Sequence, residues 1–572
     1  MTTAKRITAA LLMIMSVLQA GCTDKKQTAK TTTNTEKEDP LATVREMARK
    51  DHDLESCKTI IHQINAHLAN SNTAAPELTS SDRALIETQL NLTADEWREL
   101  NAVDFTTLDA HYLFQCLLLF DSLHGLVSSS AAGEADGLSR ARSGFAWAMR
   151  QVWPSPQEGP PLAPAFVLKR GSGGEPERAA LALAVFQQLG FDSCLVGQEQ
   201  PDRGIRMWSV GVAINSNVYL FDPGNGTPFL SDGGQVVTLK DVRAKPEMLK
   251  TLDRTPASKD NPIDIAKCKL YVSPPLSALA PRMRVLEQAL RLQPKLNMSI
   301  SLSESLDRWA KLGEKPVIWN PKQEISTPVR SLVYFLPTDE GGLDRNPRGR
   351  RRHEIFVASL APLGLIPPIV SEQSISGMPG HQLRSRFGAR FILVFDMPNQ
   401  PRDQILRGQL EDATAGLVEL LKQTSMQLER AGQEARLDAD AAEWVQQMRS
   451  ASAQLERAQN QFDQNRIAEA KAQIELLNKQ STNVNLLIER AAAEPFGIAL
   501  TYQLALCKHE QAVRQTRQSR GAADLQSVKD AWRSAASWWS NFLSKYGAVP
   551  YLPKGMADQA KQLLAEAQSS AN

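Results

Sequence analysis

Cysteine and histidine are the residues whose side chains most directly suggest chemistry in this chain, either as a nucleophile with its base or as metal ligands. Cys57 lies five residues after His52 and five before His62, and Cys116 lies five residues after His111. Residues five apart on a helix point about 140° away from each other, whereas paired ligands on one helix need a spacing of three or four. The spacing predicts that these side chains pack in a core, and we expect no metal site and no cofactor.

A second candidate region combines a helix start with a strand hairpin. Its segments are Gly173-Gly174-Glu175-Pro176-Glu177-Arg178-Ala179, Leu189-Gly190-Phe191, Met207-Trp208-Ser209-Val210-Gly211-Val212 and Leu220-Phe221-Asp222-Pro223. Together they resemble the transglutaminase-like, papain-type fold. That family places a nucleophilic cysteine at the start of a helix ending in a Leu-Gly turn, a histidine on the first hairpin strand and an aspartate before proline on the second. The helix amino terminus stabilises the thiolate, the histidine takes its proton and the carboxylate orients the imidazole.

The family's three site positions fall on Glu175, Met207 and Asp222 of this chain. Counting back from the Leu-Gly turn places the cysteine position on Glu175. The hairpin places the histidine position on Met207, or on Arg206 or Trp208 if the register shifts, and only Asp222 keeps the family's residue type. The resemblance therefore implies an inherited fold whose thiol chemistry has been lost.

No histidine occurs between His124 and His353, so no shift of register within this segment restores the base. Glu175 followed by Pro176 is a common way to begin a helix, because an acidic side chain favours the positive end of the helix dipole. Asp222 without a histidine is more typical of a turn. We name no catalytic residue among these positions.

The elements that position these residues are predicted to form an α+β domain over residues 151–285. The expected helix is Pro176–Leu189, and the expected strands are Ser193–Gly197, Trp208–Asn215 and Val218–Asp222. Along the hairpin, one face is expected to carry Trp208, Val210, Val212 and Ile214, with Tyr219 and Phe221 on the return strand. Cys194 is predicted to be a core side chain. Gly171–Gly174 matches no phosphate-binding motif and is predicted to be a plain loop.

Helical regions flank this domain on both sides. Apolar spacing of three and four predicts a helical domain at 41–150 and a helical hairpin or repeat-like domain at 401–572, with a mixed α/β segment at 286–400. The hairpin stripe runs from Ala441 to Phe462 and resumes from Ile467 to Leu477. Tryptophans at 532, 538 and 539 are expected to pack between helices, and the basic run at 348–353 is expected to be a solvated loop.

The amino terminus resembles a bacterial lipoprotein signal over residues 1–22. Lys5 and Arg6 precede the apolar stretch Ile7–Leu18, and small residues precede Cys22, which this resemblance predicts to be lipidated. Gln19 departs from the pattern, and an ordinary cleaved signal is the alternative. Residues 23–40 are polar and predict a disordered tether. The expected location is the bacterial envelope, with the membrane bound through lipid and the protein facing the periplasm or exterior.

Composition excludes several function classes. Lys and Arg number 65 against 63 Asp and Glu, for a net charge of +2, which argues against a nucleic-acid partner. Six cysteines in 572 residues cannot form a disulfide scaffold. If Cys22 carries lipid, five remain, and this odd number leaves at least one unpaired within the chain.

The leading functional hypothesis is a non-catalytic, lipid-anchored envelope protein that binds or scaffolds a protein partner through the degenerate domain and the helical carboxy-terminal region. The alternative is a papain-like or transglutaminase-like amidase or protease with a relocated catalytic dyad, or a hydrolase that uses Glu175. A third hypothesis makes residues 401–572 a peptide-binding adaptor.

Overall fold

The computed structural model describes residues 39, 41–50, 53–70, 76–90, 92, 94–127, 137–155, 163–200, 204–248, 264–292, 295–318, 399–434, 447, 450–451, 454–455, 457–458, 463–479, 484–519, 524–549 and 552–572. Residues 43–572 form one compact unit, whose mixed architecture confirms the predicted α+β class. Within the described helices, none has the length and apolarity needed to cross a bilayer. The following predicted features lie outside the described residues: the signal segment, almost all of the tether, the 348–353 run and most of the 441–462 stripe.

The amino-terminal part of the described chain is helical, as its spacing predicts. Its helices are α1 (Ala42–Lys50), α2 (Leu54–Ala69), α3 (Ser80–Gln89), α4 (Ala94–Leu100) and α5 (Thr107–Val127). The Asp53 carboxylate caps α2 by accepting a hydrogen bond from the Ser56 amide at 2.6 Å. Thr79 caps α3 in the same way through the Asp82 amide at 3.1 Å. These short polar side chains fix where the helices begin.

The central part starts with α6 (Gly137–Gln151) and then alternates strands with helices. Its elements are β1 (Trp153–Pro154), α7 (Pro164–Arg170), β2 (Ser172–Gly173), α8 (Glu175–Gln188), β3 (Ser193–Gln200), β4 (Gly204–Ile214), β5 (Asn217–Asp222) and β6 (Thr227–Pro228). The predicted helix is α8, and the predicted hairpin is β4 and β5. These two strands pair antiparallel, with Ile214 opposite Asn217.

The plain loop predicted for Gly171–Gly174 is wrong. Ser172 and Gly173 form β2 and pair in parallel with β1, while Gly171 ends α7 with a φ of 75°. This left-handed conformation favours glycine, and it turns the chain so that β2 leads directly into α8.

The central part ends with four short helices and two more strands. They are β7 (Cys268–Val272), β8 (Val317–Ile318), α9 (Leu239–Ala244), α10 (Leu276–Leu279), α11 (Arg282–Leu290) and α12 (Leu302–Lys311). The six-stranded sheet has the order β6-β5-β4-β3-β7-β8, and its pairs are antiparallel except for β7 with β8. The predicted boundaries at 150/151 and 285/286 fall inside α6 and α11. Most of the predicted mixed α/β segment, residues 319–398, lies outside the described residues.

A β-bulge interrupts β4 at Trp208 and changes the predicted face of that residue. Val196 of β3 pairs with Ser209, but the next residue, Gly197, pairs with Met207, so Trp208 has no partner of its own. The Trp208 ring packs against Phe229 at 5.0 Å, in the apolar cluster on the opposite face from Val210. The alternation predicted for Trp208 with Val210, Val212 and Ile214 is therefore wrong at its first residue, because the bulge inserts one residue into the strand.

The two faces of the sheet are buried by different parts of the chain. On one face, Phe221 of β5 contacts Phe186 of α8 at 5.3 Å and Phe145 of α6 at 4.9 Å. On the other face, Cys194 and Leu220 join a cluster that includes residues of α3, α9 and α12. The sheet therefore forms the middle layer, and α8 lies directly on it.

A buried ion pair ties the amino-terminal helices to the central part. The guanidinium of Arg282, on α11, donates to both carboxylate oxygens of Asp109, on α5, at 2.7 and 3.0 Å. Both side chains are almost fully buried. A bidentate pair of this kind fixes orientation as well as distance.

The carboxy-terminal part is a bundle of long helices. They are α13 (Asn399–Leu406), α14 (Leu410–Glu434), α15 (Gln464–Lys479), α16 (Val484–Gln518), α17 (Leu525–Tyr546) and α18 (Lys554–Ala571). Helix α16 packs against α14 and α17, and α17 packs against α18. Trp532 and Trp539 lie seven residues apart and are buried between these helices, while Trp538 is half-buried. The tryptophans thus serve helix packing.

Candidate functional site

The start of α8 carries Glu175, which occupies the position expected for the family's cysteine. The helix begins after β2, and the amide of Gly174 donates to the Glu177 carboxylate at 3.1 Å. Glu177 is buried and also pairs with Arg170. Glu177 therefore caps the helix, and the Glu175 side chain is exposed at its first turn.

Asp222 ends β5 and holds the turn that follows it. Its carboxylate accepts hydrogen bonds from the Asn225 amide at 2.9 Å and from the Asn225 side chain at 2.5 Å. The Asp222 carbonyl accepts from the Gly226 amide at 2.8 Å. These bonds form a side-chain-stabilised turn, and they occupy both carboxylate oxygens.

The fold brings Glu175 and Asp222 together across Gly224. A Cβ atom added at Gly224 would lie 3.2 Å from Asp222 Oδ1 and 3.8 Å from Glu175 Oε1, so this glycine separates the two carboxylates. Met207, the residue that the resemblance places at the histidine position, lies on β4 beside the bulge and opposite Gly197. Its thioether cannot accept a proton at neutral pH, so it supplies no base.

Arg178 is the charged group that sequence reasoning missed at this site. It is 2% exposed and donates to the Gly224 carbonyl at 3.3 Å, while its Nε has no partner. Burial has the largest effect on the guanidinium and lowers its pKa to about 10, while Asp222, Tyr502 and Glu175 act in the opposite direction. Glu175 and Arg178 are three residues apart on the predicted helix and therefore lie on one face. This spacing is the sequence signal that could have identified Arg178 as part of the site.

The chemistry of this arrangement follows from the groups present. Two carboxylates face a buried guanidinium, which stays protonated at neutral pH and cannot exchange a proton as an imidazole does. Asp222 is engaged by Asn225. The cluster can therefore hold the turn to the helix, but the groups described contain neither a thiolate nor an imidazole for acyl transfer.

Four of the five described cysteines are buried in the interior. Burial raises the pKa of the Cys57 thiol to about 12 and of Cys507 to about 11, and it raises the pKa values of Cys116 and Cys194 further. Cys268 is half-buried at the start of β7. High thiol pKa values suppress the thiolate that nucleophilic chemistry requires.

The other predicted candidates are placed as follows. Cys57 is buried while His62 is exposed, so the two point away from each other, and Cys116 and His111 are both buried on α5. Within the residues that the structure describes, no group of three His, Cys, Asp or Glu side chains could hold a metal ion. His52, Cys22 and the basic run at 348–353 lie outside these residues.

The carboxy-terminal helices dock beside the Glu175 end of α8. Arg150 of α6 donates to both carboxylate oxygens of Glu510 on α16, at 2.9 and 3.2 Å, and both side chains are buried. The side chain of Gln151 donates to the same carboxylate at 3.1 Å. Gln559 of α18 donates to the Arg150 carbonyl at 2.7 Å. We name these four residues the clasp, since they join the central and carboxy-terminal parts.

Comparisons with protein-family models, curated proteins and solved structures found no match to this chain.

Proposed function

We propose that this protein is a non-catalytic, lipid-anchored binding or scaffolding protein of the bacterial envelope, built on a degenerate transglutaminase-like domain. The observation that carries the proposal is the cluster of Glu175, Arg178 and Asp222. It has a carboxylate where the family has a thiol and a buried guanidinium beside the carboxylate that the family uses to orient histidine.

The surroundings of this cluster also support a binding role. The clasp joins α6 to α16 and α18 through buried polar groups, and Tyr502 of α16 contributes to the electrostatics of Arg178. A papain-type enzyme needs an open cleft at the start of the nucleophile helix. Here that region is tied to a second helical part, which suits a structural arrangement better than turnover of a substrate.

Activity-based labelling tests the non-catalytic part of the proposal. The purified protein is incubated with an epoxysuccinyl peptide, which alkylates active cysteine nucleophiles, and with a fluorophosphonate, which labels active serines; an active papain-type protease serves as the positive control. We expect no labelling, because the described thiols are buried or lie away from a base. Stoichiometric labelling that disappears on heat denaturation and falls in Asp222→Asn would overturn the proposal.

Incorporation of radiolabelled palmitate during growth tests the lipid anchor. We expect the wild-type protein and the Cys268→Ala control to carry the label and the Cys22→Ala variant to lose it, since thiol lipidation needs the Cys22 sulfur. Equal labelling of all three proteins contradicts the anchor.

A further inference from the structure

A groove lies toward the other end of α8 from the Glu175 cluster. It has a volume of about 790 Å³ and runs between α5, α7 and α8 on one side and the segment that contains α11 and α12 on the other. This volume is in the range of ligand-binding clefts in proteins. Its apolar wall includes Phe166, Leu183 and the small side chains Ala180 and Ala184, which keep the groove open.

Two buried polar side chains of α5 line the groove. His111 is 8% exposed and Gln115 is 6% exposed, and the spacing of four residues places them on the same helix face. His111 Nδ1 is buried without a hydrogen-bond partner. The Gln115 side chain lines the groove one helical turn further along α5.

Polar groups placed in this way need an explanation. A buried donor or acceptor that lacks a partner costs about 1–3 kcal/mol, and folded proteins contain few of them. An apolar side chain in place of His111 would remove this cost, so its presence beside an open groove points to a partner that the groove receives from outside.

The chemistry of the two side chains defines that partner. Burial has the largest effect on His111 and lowers its pKa to about 4, with Lys58 acting in the same direction and Glu55 in the opposite one. The imidazole is therefore neutral at pH 7 and offers one donor and one acceptor. The Gln115 amide also offers both. An uncharged group that carries an N–H and a carbonyl complements this pair, as an amide does.

Polar side chains beside the groove bind main-chain groups of residues 297–299, which form part of its wall. The side-chain amide of Gln188 donates to the Asn297 carbonyl at 2.7 Å. The Glu287 carboxylate accepts from the amides of Met298 and Ser299 at 2.6 and 2.7 Å. Side chains on this wall thus recognise main-chain groups, and Asn297 and Ser299 themselves line the groove.

We propose that the groove binds an extended, uncharged peptide segment, whose main-chain amide pairs with His111 and Gln115 while an apolar side chain lies against Phe166 and Leu183. This inference rests on the proposed binding function and names its ligand class. The proposed function and the proposed peptide binding can fail separately. Cleavage of a bound peptide contradicts the non-catalytic function but not peptide binding in the groove. Absence of binding contradicts only the proposal that the groove binds a peptide.

The experiment uses the full chain and a positional-scanning library of N-acetylated, C-amidated hexapeptides made of uncharged residues. Binding is measured by calorimetry, and mass spectrometry follows any cleavage. We expect at least one member to bind with a Kd below about 1 mM. The analogue of that peptide with an ester in place of the bound amide should bind at least tenfold more weakly, because it lacks the N–H.

Gln115→Leu is the main variant, and Gln503→Leu is its matched control, since Gln503 is a buried, unpartnered glutamine on α16 that does not line the groove. We expect Gln115→Leu to weaken binding at least tenfold without lowering the melting temperature, and the control to bind as wild type. Ala184→Leu fills the groove without changing either polar side chain and should also abolish binding. Absence of binding by any peptide, wild-type affinity in Gln115→Leu, or equal loss in Gln503→Leu overturns the proposal.

Discussion

The buried Arg178 limits the proton chemistry that is available to the neighbouring carboxylates of Glu175 and Asp222. An imidazole at the histidine position that the proposed resemblance implies would exchange a proton with its neighbours at neutral pH, but the guanidinium of Arg178 keeps its protons. Its contact with the Gly224 carbonyl and its electrostatic interaction with Asp222 hold the turn against α8. The proposed resemblance points to the positions at which a thiol and an imidazole would be expected and are absent. It could not identify Arg178, which the family pattern does not include.

The burial of His111 predicts a pH-dependent stability. Its pKa falls from 6.5 to about 4 on folding, so the unfolded chain takes up a proton below pH 6.5 that the folded chain refuses. Stability from this group is present above pH 6.5 and is lost as pH falls to about 4, by up to about 3 kcal/mol.

Urea unfolding between pH 7 and pH 4 measures this effect. We expect His111→Gln to flatten the fall in unfolding free energy relative to wild type over that range. His62→Gln, which changes an exposed side chain of the neighbouring α2, should keep the wild-type slope. An unchanged slope in His111→Gln contradicts the assignment.

At the scale of elements, the sequence predicts α8 and the hairpin well and the bulge poorly. Helix α8 begins at an acidic residue followed by proline, and the hairpin carries alternating apolar residues around a polar two-residue turn. These signals are local. The bulge at Trp208 depends on the pairing of Gly197 with Met207 and on contact with Phe229, which are set by tertiary packing. A prediction based on strict alternation of side chains along β4 therefore assigns Trp208 to the wrong face, because the strand no longer alternates at the bulge.

Two glycines form a matched pair, one in the turn between β5 and β6 and the other shortly after β6. Gly226 and Gly234 both have a φ of 73°, which disfavours any residue with a Cβ. A Cβ at Gly226 would lie 2.6 Å from Arg178 Nη2 and 3.1 Å from Met149 Cβ, whereas a Cβ at Gly234 meets no atom within 4 Å.

Alanine at each position separates backbone strain from contact with Arg178. We expect Gly234→Ala to cost about 1–2 kcal/mol through its conformation alone. Gly226→Ala should cost measurably more, because Arg178 must move. Thermal unfolding of the two variants gives the comparison, and equal losses would show that Arg178 does not pack against the turn.

At the scale of the whole molecule, the clasp makes the carboxy-terminal helices part of the same folded unit as the sheet. Arg150 and Glu510 are separated by 360 residues, and Arg150 and Gln559 by 409. Periodicity predicts that α16 and α18 are helices, but it carries no information about which residues meet over such distances. The helical regions were therefore predictable, and their attachment beside the candidate site was not.

Removing the Glu510 carboxylate tests how much the clasp stabilises the protein. Burial raises the pKa of Glu510, but Arg150 outweighs this effect and lowers it overall, so the pair is charged in the folded state. Glu510→Ala leaves the buried Arg150 without its directly paired carboxylate and should cost about 3–5 kcal/mol.

The matched control is Asp530→Ala, which breaks an exposed pair with Arg533 on α17 and should change stability by less than about 1 kcal/mol. Urea midpoints measure both. A loss in Glu510→Ala no larger than in the control contradicts a stabilising clasp.

The sequence separation of the clasp residues also bears on the order in which the chain folds during synthesis. When α6 and α8 leave the ribosome, Glu510 and Gln559 have not been made, so Arg150 has neither its counter-charge nor the amide that binds its carbonyl. Contacts between residues this far apart form late. A nascent chain therefore leaves the Arg150 guanidinium without its carboxylate until α16 emerges. A chain that stops before α16 never gains this carboxylate, so the face of α6 that carries Arg150 stays accessible to proteases and chaperones.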